Sequence, residues 1–279
     1  MYQAESDKKV YTKEANPFLP HDIIVVSNAV RPPMGIEGKE HITVSQKLYY
    51  NPNPNLSVLV YGSSFFMNTY DLIQDMTFSQ ARDWTAGTKV TYHVKDWFSV
   101  TGSLHADFYD RFKRHERIDK RQKDYESSIY QPRLTVTSNY FNGHSLILGM
   151  EHTSDELTSD RFSGNANHDL KTRALKETEY FLQDEWTINP RWMISAGIRT
   201  NFSKAFGFMG MPKVAAKYSP DKHWSLRANY SMGYRSPSIK ELFFNWDHLG
   251  MFMIRGNENM RPEKNNYFSL GAEYSNDRL

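Results

Sequence analysis

The stretch Trp224-Ser-Leu-Arg-Ala-Asn-Tyr-Ser-Met-Gly-Tyr234 alternates between apolar and polar or small side chains at every second residue. One set comprises Trp224, Leu226, Ala228, Tyr230, Met232 and Tyr234, and the other Ser225, Arg227, Asn229, Ser231 and Gly233. A strand places these two sets on opposite faces, whereas a helix would mix them. The pattern therefore predicts a β-strand with one fully apolar face.

The same alternation recurs along most of the chain. It is clear in 98–108, in 192–199 and in 213–218. Repeating the assignment predicts about eleven strands, several of them longer than the usual ~5–6 residues of soluble sheets. The predicted strands are 40–50, 55–66, 81–94, 97–112, 126–141, 144–155, 174–188, 191–203, 210–219, 223–234 and 264–275.

Short and long connections alternate between these strands. Tight turn signals lie at 51–55, 95–96, 142–143, 189–190, 220–222 and from Ser275 onward. The longer polar segments lie near 67–80, 112–125, 156–173, 204–209 and 235–263. Outer-membrane barrels have this arrangement, with short periplasmic turns and long extracellular loops. The sequence thus predicts an all-β fold, an antiparallel transmembrane β-barrel.

Two soluble all-β folds fit the predicted strands less well. A β-sandwich core would bury Arg199, Lys213, Lys217 and Arg227 without partners, which is costly, whereas a wet lumen accepts them. A lipocalin-like barrel closes with about eight strands, fewer than predicted here. Asp184 is the one departure, because it shares an apolar face with Leu182 and Trp186, and we expect it near the periplasmic interface.

Composition excludes several classes of protein. The net charge of +2 offers no basic footprint for nucleic acid, and the absence of cysteine removes thiolate metal sites, disulfides and cysteine nucleophiles. No apolar run approaches the ~18 residues of a transmembrane helix. The mean hydropathy of −0.67 agrees with strands that are apolar only at alternate residues.

The predicted strands leave the barrel incomplete. The last of them lacks a partner, and an open sheet edge cannot lie in hydrocarbon. The first residues also lack the apolar core of a signal peptide. We therefore expect a fragment of a longer protein, with residues 1–39 as an extracellular or irregular lead-in and 40–279 as a partial barrel.

Two short boxes in the last third carry a family resemblance. They are Gly233-Tyr-Arg-Ser-Pro-Ser-Ile-Lys-Glu-Leu-Phe-Phe244 and Gly256-Asn-Glu-Asn-Met-Arg-Pro-Glu263. They resemble the F/Y-R-A-P and N-P-D/N-L boxes, followed by K-P-E, of TonB-dependent receptors. The first box corresponds to Tyr234, Arg235, Ser236 and Pro237, and the second to Asn257, Glu258, Asn259 and Met260. Ser236 replaces the family's Ala, Glu258 its Pro and Met260 its Leu.

The resemblance implies a 22-stranded outer-membrane barrel of a Gram-negative cell, of which this chain would supply about half. It also implies a plug domain, which we expect to be absent from these residues, and uptake driven by the TonB complex through that plug. The expected partners are TonB, outer-membrane lipid and the imported ligand. Neither a catalytic residue nor a permanently bound cofactor is expected, so the chain is predicted not to be an enzyme.

His248 lies between the two boxes. Haem and haemoglobin receptors of this family carry a histidine there, on an extracellular loop, that contacts haem iron. Neutral imidazole is a common iron ligand, and Trp246, Met251, Phe252 and Met253 could cover a porphyrin face. The resemblance thus implies import of haem or of a haemoprotein's haem, with His248 as the metal ligand. The same aromatic and methionine side chains could instead only pack the loop against the barrel mouth.

Two other functions stay open at this point. Receptors with similar boxes also import cobalamin or a ferric siderophore, so the boxes alone do not fix the cargo. A plug-less outer-membrane barrel, an adhesin or an enzyme, is the third possibility. The sequence upstream of Met1 would discriminate it.

Overall fold

The computed structural model of the chain describes residues 10–14, 23–27, 37–71, 77–115, 120–162, 169–248 and 252–276. Strands dominate these residues. They are β1 (Val10–Glu14), β2 (Ile23–Ser27), β3 (Glu37–Asn53), β4 (Leu56–Asp71), β5 (Thr77–Lys95), β6 (Phe98–His115), β7 (Lys120–Ser138), β8 (His144–Ser159), β9 (Lys171–Asn189), β10 (Trp192–Ser203), β11 (Gly207–Tyr218), β12 (Trp224–Arg235), β13 (Asn245–His248), β14 (Phe252–Arg255) and β15 (Glu263–Tyr274). One short α-helix, α1, spans Ile239–Phe243, and a 3-10 turn follows β8 at Asp160–Phe162.

Eleven strands form one antiparallel sheet in the order β15-β12-β11-β10-β9-β8-β7-β6-β5-β4-β3. Each of these strands pairs with its predecessor, except that β15 returns to β12 across the inserted segment 236–262. Among the described residues, β3 and β15 are the two edges of the sheet, so the barrel wall is not closed. The predicted fold class and number of strands are confirmed.

The strands are longer than predicted at the ends remote from the tight turns. β5 has 19 residues against the 14 predicted at 81–94. At ~3.3 Å per residue it is about 60 Å long, twice the ~30 Å of a bilayer core. Strand thus replaces much of the predicted loop sequence. The prediction of a long connection near 204–209 was wrong, because β10 and β11 join through the three residues 204–206, which Gly207 follows with a φ of 75°.

The two faces of the sheet follow the predicted alternation. Cross-strand pairing aligns Ile194 with Ala216, Ala216 with Ala228, and Ala228 with Leu270, in one apolar row. On the other face, Gly197, Lys213, Ser231 and Tyr267 form a mixed row. Large side chains of the apolar face stay exposed, Leu270 at 78%. This outward face therefore suits lipid, and the opposite, inward face suits a wet lumen.

Asp184, the carboxylate on the outward face, has a partner. His144 Nδ1 lies 2.7 Å from Asp184 Oδ2, and the His144 ring stacks on Trp186 at 5.1 Å between centroids. His144 is the first residue of β8, directly after the short turn from β7. The carboxylate thus lies close to the turn side of the sheet, where the cost of charge is lowest.

Two small hairpins and α1 add to the sheet. β1 pairs with β2 within the predicted lead-in, and the large sheet begins at Glu37 instead of residue 40. α1, β13 and β14 lie in the segment 236–262, predicted only as a polar connection. No helix in the described part of the chain is long and apolar enough to cross a bilayer.

Candidate functional site

The first box leads directly into helix α1. Ser238 is its N-cap, and its Oγ accepts a hydrogen bond from the Glu241 amide at 3.3 Å. In return, Glu241 Oε2 accepts one from the Ser238 amide at 2.8 Å. This reciprocal capping box satisfies two backbone donors at the helix start. The chain therefore turns sharply after Pro237 and begins a helix instead of an open loop.

The apolar side of α1 packs on the inward face of the wall. Ile239 and Leu242 are only 2% and 3% exposed. Ile239 belongs to a small apolar core, which we call the mouth core. The mouth core consists of Leu157, Phe162, Ile239 and Phe244, with Tyr125, Leu175, Phe243, Trp246 and Ile254 packed around them. Leu157 of β8, which pairs with Arg173, and Leu175 of β9, which pairs with Asp155, are diagonal neighbours on the inward face, so this segment lies inside the curve of the sheet.

Cationic side chains of the wall and of the 3-10 turn after β8 lie over aromatic rings of the mouth core. The Arg161 guanidinium lies 4.2 Å from the Trp246 ring centroid, and Arg173 lies 5.1 Å from that of Phe243. Lys240 of α1 lies 5.1 Å from the Tyr125 ring in return. Such contacts are typical of amphipathic side chains that close a small core against water.

His248 is the last residue of β13, at the tip of the β13–β14 hairpin. Its backbone pairs with that of Phe252. Two residues farther from the hairpin tip, Trp246 pairs with Ile254, and both pack against the mouth core. The side chain of His248 and all of Met251 lie outside the described residues. The role of His248 as an iron ligand stays a prediction. Phe252 and Met253 are 54% and 45% exposed, so two of the predicted covering side chains lie at the surface of the hairpin.

Gly256 joins the hairpin to the second box by direct contact with α1. Its amide donates to the Phe244 carbonyl at 2.5 Å, and the Asn257 amide donates to the Glu241 carbonyl at 2.9 Å. A Cβ at residue 256 would lie 2.5 Å from the Leu242 carbonyl carbon and oxygen. Only glycine permits this approach of two backbones. The two boxes, 20 residues apart, are thus held together through α1.

The second box forms a polar turn without the family's proline. Asn257 Oδ1 accepts the Asn259 amide at 2.9 Å, and the Met260 amide donates to the Asn257 carbonyl at 3.1 Å. This side-chain turn fixes the backbone in the way expected of asparagine. Glu258 and Asn259 are exposed, while Met260 is half-buried. The substitution of proline by Glu258 therefore leaves the turn in place.

Arg235 connects the ends of the inserted segment. Its guanidinium contacts Glu263, at the start of β15, at 3.1 and 2.6 Å. It also contacts both carboxylate oxygens of Glu241 on α1 at 3.1 Å. We call these three residues the Arg235 clamp. Hydrogen bonds from Arg235, and then from Ser238, lower the pKa of Glu241 from its ordinary 4.5 to about 2.

The Arg235 clamp gives a titration that can be measured. Because the pKa of Glu241 is lower in the folded chain than in the unfolded one, its stabilising effect is complete above pH 4.5. The effect is lost as the pH falls through about 2. We expect carbon-13 NMR of labelled glutamate to place the Glu241 midpoint near this value. In Arg235→Gln the midpoint should rise towards the ordinary value, and in Arg261→Gln, an exposed arginine nearby, it should not. An unchanged midpoint in Arg235→Gln would contradict the clamp.

Ser236 of the first box reaches the inward face of the wall, and the Tyr234 hydroxyl contacts it. Ser236 Oγ donates to Glu177 in a short contact, and it can accept from the Tyr234 hydroxyl, which lies 3.2 Å away. Glu177 lies on β9 in the inward row with Glu179, and both accept from Asn201 Nδ2, which is 1% exposed. Tyr234 keeps its predicted place in the alternation of β12, which pairs regularly with β15 as far as Arg235. Its hydroxyl nevertheless has a polar partner near the end of the strand.

Four residues of this site were missed in the sequence: Glu177, Asn201, Glu241 and Glu263. Glu241 had a readable signal, since it follows Ser238 by the three residues of a capping box. Glu263 ends the second quoted block and was not linked to Arg235. Glu177 and Asn201 gave no signal, because their contacts with Ser236 and with each other depend on strand register.

The chain is similar to known outer-membrane proteins. The family profile described as TonB dependent receptor-like, beta-barrel, matches residues 37–279. An iron-regulated outer membrane virulence protein of Vibrio cholerae is 25% identical over 190 residues, which are 66% of this chain and 27% of that protein. The chain thus spans about a quarter of the length of this curated relative.

Solved structures share the fold at lower identity. The siderophore receptor PirA of Acinetobacter baumannii superimposes with a TM-score of 0.72 at 12% identity, covering 87% of this chain and 42% of PirA. A variant of the ferric enterobactin receptor PfeA of Pseudomonas aeruginosa gives 0.71 at 14% identity, covering 89% and 42%. At such identities the likeness shows the fold alone. This chain covers somewhat less than half of the length of each of these receptors.

Proposed function

The chain belongs to the TonB-dependent receptor β-barrel family, and on that premise we propose that it forms part of a receptor that imports an iron chelate. Its location is the outer membrane, and its family consists of transporters, not enzymes. One observation carries the proposal: the segment between the two boxes folds into the barrel mouth as α1 and a hairpin, with His248 at the hairpin tip. The cargo would bind there, and TonB would supply energy through a plug domain.

Haem is the cargo that this segment supports best. His248 ends the first strand of a short, anchored hairpin in the barrel mouth, and a neutral imidazole is a common iron ligand. Exposed Phe252 and Met253 offer apolar contacts for a flat macrocycle. In this proposal haem is transported and is not a resident cofactor.

A ferric siderophore is the second candidate. It is supported by the similar proteins described above, which include an iron-regulated outer membrane protein and siderophore receptors. These candidates share iron but differ in chemistry, since haem needs an axial ligand, whereas a ferric siderophore already saturates its iron. Only the haem proposal therefore depends on His248.

Growth of an iron-starved host that expresses the whole receptor, and has no other iron receptor, tests both cargoes. With haem as the iron source, wild type should grow and His248→Ala should not. The matched control is His93→Ala, at the opposite end of the sheet beside the β5–β6 turn. Equal growth of His248→Ala and wild type on haem would reject the role of His248. Growth of wild type on a ferric catecholate alone would establish the second candidate.

A further inference from the structure

The barrel wall splits between β11 and β12 at its extracellular end. β11 pairs with β10 along its whole length, Gly207–Tyr218, but it pairs with β12 only from Lys213 onward. Pro212 is the first residue beyond this pairing, and proline has no N–H to donate to a ladder. β12 in turn pairs with β15 as far as Arg235. Within the described residues, the outer end of β11 is therefore an edge on the side of β12.

A cavity of about 500 Å³ lies beside this edge. The β10–β11 turn and the start of β11 line it on one side, and the second box and the start of β15 on the other. Its lining includes Phe206, Phe208 and Met209 of the first side and Glu258, Arg261 and Lys264 of the second. Strand register places both Phe208 and Lys264 on the outward face. The cavity is therefore bordered by side chains that face the surrounding membrane.

Aromatic rings on the outward face give the depth of this cavity in the membrane. Phe208 packs on Phe202 at 4.9 Å between ring centroids, and Phe202 packs on Tyr180 at 5.9 Å. Phe202 follows Trp192, beside the tight β9–β10 turn, by ten positions of β10. At ~3.3 Å per residue and a tilt of about 40°, this separation is about 25 Å along the membrane normal, the height of the apolar band of an outer-membrane barrel. Phe208 therefore marks the outer interface, where the headgroups of the outer leaflet lie.

The lining of the cavity has an excess of one positive charge. Arg261 and Lys264 are exposed, and in the part of the chain that the structure describes neither has an ion-pair partner. Glu258 is the carboxylate of the lining. Glu263, which lies between the two cations in sequence, contacts Arg235 at 2.6 Å instead. An anionic headgroup at this level would therefore meet two cations that no ion pair of the protein occupies.

We propose that this cavity binds a phosphate of lipopolysaccharide, the phosphorylated glycolipid of the outer leaflet. Arg261 and Lys264 would contact the phosphate, and Phe208 would lie against the sugar ring or the start of an acyl chain. A guanidinium matches two phosphate oxygens at once, and basic pockets at a membrane interface are typical binding sites for anionic headgroups. The site goes beyond the import of iron, because it lies on the membrane side of the wall and does not depend on the identity of the cargo.

Native mass spectrometry of the whole receptor, delipidated in mild detergent and titrated with rough-type lipopolysaccharide, tests the proposal. Wild type should retain one tightly bound molecule. Arg261→Gln and Lys264→Gln should each weaken its retention about fivefold, and the double variant roughly 25-fold, since each removes one interfacial charge. The matched control, Lys89→Gln with Arg191→Gln, removes two positive charges from the lumen face of β5 and the β9–β10 turn. It should retain the lipid as wild type does.

Several results would overturn the site. These are equal retention by the Arg261→Gln/Lys264→Gln variant and wild type, or an equal loss in the control variant. Equal retention of enzymatically dephosphorylated lipopolysaccharide would show that the phosphate is not bound, and equal retention of phosphatidylglycerol would show a site for any anionic lipid. Displacement of the lipid by inorganic phosphate alone would show an ion site and would also reject the proposal. Heat-modifiable mobility on electrophoresis confirms that each variant is assembled.

Discussion

Leu148→Arg should leave little assembled barrel, whereas Ile147→Arg, one residue away on the same strand, should assemble almost as wild type does. Leu148 lies on the outward face of β8, is 54% exposed, and pairs with Val136 and Leu182. Ile147 lies on the inward face and pairs with Thr137 and Gln183. An arginine facing mid-bilayer lipid costs about 2–4 kcal/mol, while a lumenal one remains hydrated.

Urea titration of the whole receptor refolded into liposomes measures this difference. A cost of about 2–4 kcal/mol corresponds to a roughly 30- to 1,000-fold loss in the folding equilibrium constant. The fraction of heat-modifiable, folded barrel on electrophoresis gives an independent readout in cells. Since both variants introduce the same side chain into the same strand, only the face differs between them. Equal losses in the two variants would contradict the assignment of lipid and lumen faces.

The wall could be predicted because its signal is local. A period of two repeats over every ten or so residues, and it needs no knowledge of which strand is the neighbour. β12 was predicted at 223–234 and is found at Trp224–Arg235. The errors lie at the outer strand ends, where polar residues on both faces erase the alternation. There the chain continues as strand above the membrane, so the sequence looks like a loop.

The candidate site was only partly predictable, for the opposite reason. The capping box of Ser238 and Glu241 is local, because both residues lie in the segment 233–244 that contains the first box. The partners that hold the segment in place are remote: Ser236 meets Glu177 across 59 residues, and Arg235 meets Glu263 across 28. Such contacts follow from register and from the inward turn of the chain. The pairing of Asp184 with His144, 40 residues apart, was hidden for the same reason.

The need for glycine at position 256 could not be predicted from the sequence either. In the sequence it is simply the residue before an asparagine turn, and its φ is not of the left-handed kind that favours glycine. Glycine is required at this position because the backbone of α1 lies where a Cβ would be. The anchoring of the His248 hairpin to α1 therefore depends on the absence of a Cβ at residue 256.

Gly256→Ala should release the segment 236–262 from the wall while leaving the barrel assembled. The new Cβ would lie 2.5 Å from the Leu242 carbonyl, so the backbones must separate. Both hydrogen bonds, from Gly256 to Phe244 and from Asn257 to Glu241, would then weaken. Overpacking of this kind costs about 1–3 kcal/mol, which raises the open population roughly 5- to 150-fold. Limited trypsin digestion after Lys240 and Arg255 should accelerate in proportion, provided that opening is faster than cleavage.

Gly210→Ala is the matched control, because a Cβ there meets only the Phe208 ring at 3.9 Å, which is ordinary contact. Its digestion rate should equal that of wild type, and both variants should show the same heat-modifiable barrel. If Gly256→Ala is cleaved no faster than Gly210→Ala, the hairpin is not held by α1. In a receptor that binds haem through His248, Gly256→Ala should weaken haem binding only by the factor by which the closed fraction of the segment falls, since only the closed segment presents the hairpin tip. If the cleavage rate shows that the segment is mostly open in Gly256→Ala, unchanged haem binding would separate the anchoring of the segment from the role of His248.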